Sequence, residues 1–120
     1  MESQHEHLRP LFADVEGSLV ANGSLREPLI RLHDALHAHF DLEDEVLFPA
    51  LRGLSPGSHG ALEVLCDEHR AFLADLRGLA DARRGSVEPG FRRLREALGE
   101  HERREEGLLQ SILQVDVRSH

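Results

Sequence analysis

A histidine pattern recurs along this chain at a fixed offset, and that recurrence limits the possible folds more than any other feature. His7 and His39 lie 32 residues apart, as do His69 and His101; Glu43 follows His39 by four residues, as Glu105 follows His101. The segment "EHLRPL" (6–11) resembles "EHRAFL" (68–73). The pairs Gly23/Gly85, Leu32/Leu94, Leu36/Leu98, Leu47/Leu109 and Leu51/Leu113 fall at the same offset of 62. The chain therefore reads as an internal duplication, one structural unit used twice. At 120 residues it has room for a single domain spanning 1–120.

Composition says what the unit is. Leucine and alanine are abundant and β-branched residues few, which favours helix over sheet. Clusters of helix-interrupting residues at "NGS" (22–24), "GLSPGSHG" (53–60) and "GSVEPG" (85–90) leave four helical segments, over 3–21, 25–52, 59–84 and 88–115. Ser3 with Glu6 and Ser24 with Glu27 fit the capping box that marks helix starts. Pro49 costs a backbone hydrogen bond inside the second segment and is expected to bend its last turn. The expected fold is all-α: an up-down-up-down four-helix bundle built from two duplicated helical hairpins.

Spacings of three and four define the buried stripes. The second segment offers Leu29, Leu32, Leu36, His39, Glu43 and Leu47; the fourth offers Phe91, Leu94, Leu98, His101, Glu105, Leu108 and Ile112. The first offers His7, Leu11, Val15 and Leu19, and the third Leu62, Leu65, His69, Phe72, Leu76 and Leu79. Each stripe contains one histidine. Gly23 lies 16 residues from both His7 and His39, and Gly85 lies 16 from both His69 and His101. In an antiparallel pair, equal distance from the turn means equal height, so the four histidines should meet at one level. Glu43 and Glu105 lie about 40° around and roughly 6 Å along from their histidines. Six polar side chains thus converge in one buried layer.

A buried polar group without a partner costs roughly 2 to 7 kcal/mol, and an isolated carboxylate more. Two cations would remove that cost. Imidazole nitrogen with carboxylate oxygen is a ligand set for iron, manganese or zinc, and its lack of sulfur disfavours copper(I) and iron–sulfur clusters. If both glutamates bridge, each of two six-coordinate irons receives two histidines and two carboxylate oxygens. With a bridging oxide or hydroxide as fifth ligand, about one position per iron is left open to a small molecule. The expected ligands are His7, His39, Glu43, His69, His101 and Glu105. The expected cofactor is a non-haem pair of iron ions, with zinc and manganese as alternatives.

The order His7, His39-x-x-x-Glu43, His69, His101-x-x-x-Glu105, together with "EDEVLFPAL", resembles the hemerythrin-like (HHE cation-binding) family over nearly the whole chain. The resemblance implies an up-down-up-down bundle around a non-haem di-iron site that, in relatives, binds dioxygen or serves in oxygen, nitric oxide or iron sensing. Oxygen-carrying hemerythrins have a further histidine four residues after the third-helix one, where this chain has Leu73. Leucine cannot coordinate. The resemblance therefore supports metal binding more firmly than reversible oxygen carriage.

Other histidines are expected at the surface. His59 with Glu63 repeats the spacing but sits about 80° off its stripe and has no counterpart in the other half. His37 with Asp41, and His5, also fall off the stripes, while His33 could lie at a helix boundary. Cys66, one turn before His69, is expected to be a small core residue, and as the only cysteine it can form no internal disulfide, which suits the cytoplasm. The net charge of −8 argues against nucleic-acid and anionic-membrane partners, and no apolar stretch approaches the ~20 residues of a membrane span. "MESQHEH" has no basic region followed by an apolar segment, so no secretory signal is expected.

The expected function is a di-iron protein that binds, senses or detoxifies dioxygen, nitric oxide or peroxide, acting by binding rather than as an enzyme. Two alternatives remain open. One is a di-iron oxidase or peroxidase, although ferritin-like oxidases use Glu-x-x-His pairs with more carboxylates, and the absence of tyrosine excludes a tyrosyl radical. The other is a metal-independent acidic helical interaction module.

Overall fold

The computed structural model of the chain describes residues 8–118, with side chains described over 8–114. Every element in this range is helical, and there is no strand among the described residues.

Helix α1 spans Arg9–Ala21, with Pro10 in its first turn, where a missing N–H costs little. It ends at Asn22, whose left-handed backbone (φ 62°) lets the Gly23 N–H donate to the Ser18 carbonyl at 2.9 Å. Asparagine, not the neighbouring glycine, takes the left-handed position. Helix α2 (Arg26–Leu42) follows. The expected Ser24–Glu27 box does not form, because the residue preceding the helix is Leu25, which makes no side-chain cap. Leu25 is buried in the core, and its burial sets the helix start in place of the serine. The Ser3–Glu6 box and the beginning of the segment expected from residue 3 lie outside the described residues.

Helix α2 passes without a break into a π-helical turn, Glu43–Leu47, and then α3, Phe48–Leu54. Pro49 explains the turn. Without an amide hydrogen it cannot close the bond to the carbonyl four residues back. The backbone widens just before it, and the Phe48 N–H bonds to the Glu43 carbonyl five residues away. The expected bend thus takes the form of one extra residue, which shifts the buried stripe. Phe48 is fully buried where Leu47 was expected, and Leu47 is only half-buried. The offset of 62 fails beyond this point. Leu51 is buried, but Leu113 is 44% exposed and Ile112 takes the inner position.

A short 3₁₀ turn, Pro56–Ser58, leads into α4 (His59–Asp81), and Ala82–Arg83 connects it to α5 (Arg84–Arg118). The expected loop over 85–90 is therefore helical, and the turn lies nearer to His69 than Gly85 does. Pro89 lies in the second turn of the helix, where it cannot close the bond to the Gly85 carbonyl, and burial of Val87 draws the first turn onto the core. Gly90 is a point of close approach: a Cβ there would lie 2.6 Å from Cδ2 of Leu79. Arg84 donates to the Ser18 carbonyl at 2.9 Å, and Arg26 pairs with Asp81, tying the two turns at this end together.

The buried residues form two apolar clusters. One, toward the Asn22 and Ala82 turns, contains Leu29, Leu32, Leu36, Phe40, Phe72, Leu76, Phe91, Leu94 and Leu98. The other, toward the 3₁₀ turn, contains Phe48, Leu51, Leu62, Leu65, Cys66 and Ile112. On α2, α4 and α5 the buried polar residues fall between the two.

Candidate metal centre

The five described members of the predicted set, His39, Glu43, His69, His101 and Glu105, are the buried polar residues among the described ones, each 1–7% exposed. His7 lies outside the described residues. α2 supplies His39 one turn before Glu43, which opens the π turn; α4 supplies His69; α5 supplies His101 and Glu105 one turn apart.

The centre of the layer is a contact between imidazoles. His69 Nε2 and His101 Nε2 are 3.1 Å apart. His69 Nε2 is 3.3 Å from Glu43 Oε1, His101 Nε2 is 3.4 Å from Glu105 Oε2, and His39 Nε2 is 3.6 Å from Glu43 Oε2. One ligand atom each from His69, His101 and Glu105 lies within 4.8 Å of the others, a group that could hold a metal ion.

Two further carboxylates decide which nitrogens are available. His69 Nδ1 is 2.9 Å from Asp44 Oδ1, and His101 Nδ1 is 2.7 Å from Glu68 Oε1. An ionised carboxylate only accepts, so both Nδ1 atoms carry the proton and donate. Each neutral ring then presents Nε2 as a bare lone pair. Asp44 also accepts the Cys66 thiol at 3.2 Å, and Glu68 is held by Arg104 at 2.7 Å.

Acceptors therefore gather around the contact between His69 and His101. All four carboxylate oxygens of Glu43 and Glu105 are buried without a hydrogen bond, and the two Nε2 lone pairs face them. Such a cluster requires positive charge. In the metal-free chain protons supply part of it. Burial and the adjacent Glu43 carboxylate push Glu105 up to about 7. Burial works the same way on Glu43, but the adjacent His39 and His69 imidazoles outweigh it and hold that carboxyl well below its usual range. His39 and His101 are raised above the ordinary imidazole value, because the neighbouring glutamates outweigh burial. A cation of the kind served by nitrogen and oxygen donors fits this set.

Aromatic rings wall the layer. Phe40 stacks on His69 with centroids 4.0 Å apart, Phe48 lies 5.7 Å from the same ring, and Phe72 meets His101 edge-on at 5.2 Å. Leu73 is half-buried and packs against the cluster toward the Asn22 and Ala82 turns.

The other singled-out residues lie elsewhere. His59 is exposed at the start of α4, and Glu63 pairs with Arg52 at 2.8 Å. His37 is exposed beside Asp41 at 3.4 Å, and half-buried His33 pairs with Asp34 at 3.1 Å. His5 is outside the described residues. Burial and the Asp44 carboxylate push the Cys66 thiol up to about 12, which leaves it protonated and suits its place in the core. Sequence reasoning missed Asp44 and Glu68. The available signal was their adjacency to Glu43 and His69.

The profile of the hemerythrin HHE cation-binding domain matches residues 1–113, and the chain belongs to that family. No curated protein and no solved structure matches the chain. None of the described helices is long and apolar enough to cross a membrane.

Proposed function

We propose that this hemerythrin-family chain is a single domain over 1–120 that binds a pair of non-haem iron ions through His7, His39, Glu43, His69, His101 and Glu105. In this reading the bundle runs up-down-up-down and consists of two duplicated hairpins. Its function is to bind, sense or detoxify dioxygen, nitric oxide or peroxide. The observation that carries the reading is the convergence of two imidazole lone pairs and four buried carboxylate oxygens.

When bound, iron would supply open coordination positions for a small ligand. The protein's own groups prepare the site for that ligand. Glu43 and Glu105 supply two negative charges to offset the cations. Asp44 and Glu68 keep the Nδ1 protons in place so that the Nε2 atoms of His69 and His101 point inward. Phe40, Phe48 and Phe72 pack against the imidazoles and limit water around them, which strengthens each electrostatic contact in the layer.

The test is metal quantification of the purified chain, with an optical spectrum recorded before and after dithionite and then azide. Two irons per chain and a charge-transfer band that responds to both reagents support the reading. A colourless zinc protein would overturn the small-molecule function, and a chain that takes up no cation would overturn the metal centre as well.

A further inference from the structure

Two histidines of α2 take no part in the buried layer. His33 and His37 stand one turn apart, and their rings lie nearly parallel, with centroids 6.2 Å apart and planes 11° from each other. Each has a carboxylate at the same nitrogen. His33 Nδ1 is 3.1 Å from Asp34 Oδ1, and His37 Nδ1 is 3.4 Å from Asp41 Oδ2. An ionised carboxylate only accepts, so in the neutral rings the proton sits on Nδ1 and Nε2 keeps its lone pair. The two rings therefore offer the same nitrogen from the same helix face. His39 does not share that face: two residues on from His37 is a rotation of about 200°, which carries its ring into the bundle interior.

The His33 side chain is 12% exposed, so packing already holds it, whereas that of His37 is 55% exposed. A pair made of one fixed and one mobile imidazole loses little conformational entropy on closing around an ion, because only the outer ring has to be ordered. Imidazole nitrogen bonds to zinc at about 2.0–2.1 Å, so a tetrahedral ion needs the two nitrogens about 3–3.5 Å apart. Residues four apart on a helix have Cβ atoms about 5–6 Å apart, and turning the exposed His37 ring toward His33 supplies that approach. We propose that His33 and His37 chelate a divalent cation of the imidazole-binding class, zinc or copper(II), through their Nε2 atoms, at a surface site separate from the buried layer. Asp34 and Asp41 fix the tautomers and add negative charge beside the ion. Two protein donors leave the remaining positions to water, so the ion exchanges with solution and is removed by dialysis. His59 gives the contrast. It is exposed, and Glu63, one turn further along its helix, is engaged by Arg52 at 2.8 Å, which leaves His59 to act as a single donor.

Zinc titration of the isotopically labelled chain, followed by long-range proton–nitrogen correlations of the imidazoles, tests the site through the signals of its own residues. The Nε2 resonances of His33 and His37 should move together, at a zinc concentration about 100-fold below that at which His59 responds, because the second imidazole binds as an intramolecular ligand. In His37→Gln the response of His33, and in His33→Gln that of His37, should move up to the range of His59. His37→Gln alters an exposed position and decides the matter alone if His33→Gln does not fold. A His33 response that is unchanged in His37→Gln, or a wild type in which His33 and His37 respond no earlier than His59, overturns the pair. The two metal claims separate cleanly: Glu105→Gln, which weakens the buried layer, should leave the His33 and His37 responses where they are, and a layer that takes up no cation leaves them intact as well.

Discussion

His69 Nε2 and His101 Nε2 approach to 3.1 Å while both Nδ1 protons are committed to carboxylates, so two lone pairs face each other at the centre of the layer. Nothing in an apolar bundle favours that contact unless positive charge lies between or beside the rings. Most of what can be measured on this chain follows from supplying or withholding that charge.

A cation that binds only the folded chain raises its stability by mass action, by about 2.7 kcal/mol at a free concentration a hundred times the dissociation constant. Thermal melts with and without chelator should show the metal-loaded chain melting higher. His39→Ala and His101→Ala should lose that difference, whereas His59→Ala and His37→Ala should keep it. Four variants behaving alike would mean that the wrong histidines have been assigned to the site.

The carboxylates should separate metal binding from metal-free stability. Glu43→Gln and Glu105→Gln each remove a charge that offsets the cations, so metal content should fall from two per chain toward one or none, while Glu63→Gln retains two. Without metal, Glu105→Gln should melt a few degrees above the wild type at pH 8, because it relieves the repulsion that raises Glu105. Elemental analysis together with melts in chelator checks both. Equal metal content in all three variants would remove Glu43 and Glu105 from the site.

Three groups give the metal-free chain the same pH dependence. Glu105 is raised to about 7, and His39 and His101 are raised above the ordinary imidazole value. A raised group contributes stability fully below its unfolded pKa and loses that contribution as pH rises through its folded one. Glu43, held low, has the opposite sign, and its contribution is lost only in acid. The metal-free chain should therefore lose stability as pH rises from about 4.5 through about 7 for Glu105 and from about 6.5 upward for the two imidazoles, while a cation that displaces the protons binds more tightly over the same interval. The gap between loaded and metal-free melting temperatures should widen with pH. A constant gap would show that no proton leaves the layer on binding.

Leu29 lies fully buried in the cluster toward the Asn22 and Ala82 turns. Leu29→Ala should cost about 2–5 kcal/mol in denaturant unfolding, the range for buried leucine truncation. The metal stoichiometry of the folded fraction should remain that of the wild type. Loss of metal in parallel with stability would couple this cluster to the layer.

Helix content and the layer were legible because burial follows spacing: Leu29, Leu32, Leu36, His39 and Glu43 all lie inward, as do Phe91, Leu94, Leu98, His101 and Glu105. Helix ends were less legible. Ser24 looked like a cap and Gly85 like a turn, but buried Leu25 and Val87 set those starts, and no local motif announces which apolar residue the core will claim. Asp44 and Glu68 were missed for a related reason. Their role depends on a neighbouring helix, which spacing within one helix does not report.

The π turn at Glu43–Leu47 bears on how far the spacing beyond the His39–Glu43 motif can vary. An insertion in an ordinary helix rotates everything beyond it by about 100° and would turn the whole downstream face outward. Here the surplus residue is absorbed within one turn, so Phe48 and Leu51 still reach the core. The His39–Glu43 motif is consequently insulated from length changes on its far side, where the chain can gain or shed a residue without His39 and Glu43 losing their inward placement. A search for chains with this motif should allow the spacing to slip by one immediately after the glutamate and hold it strict before.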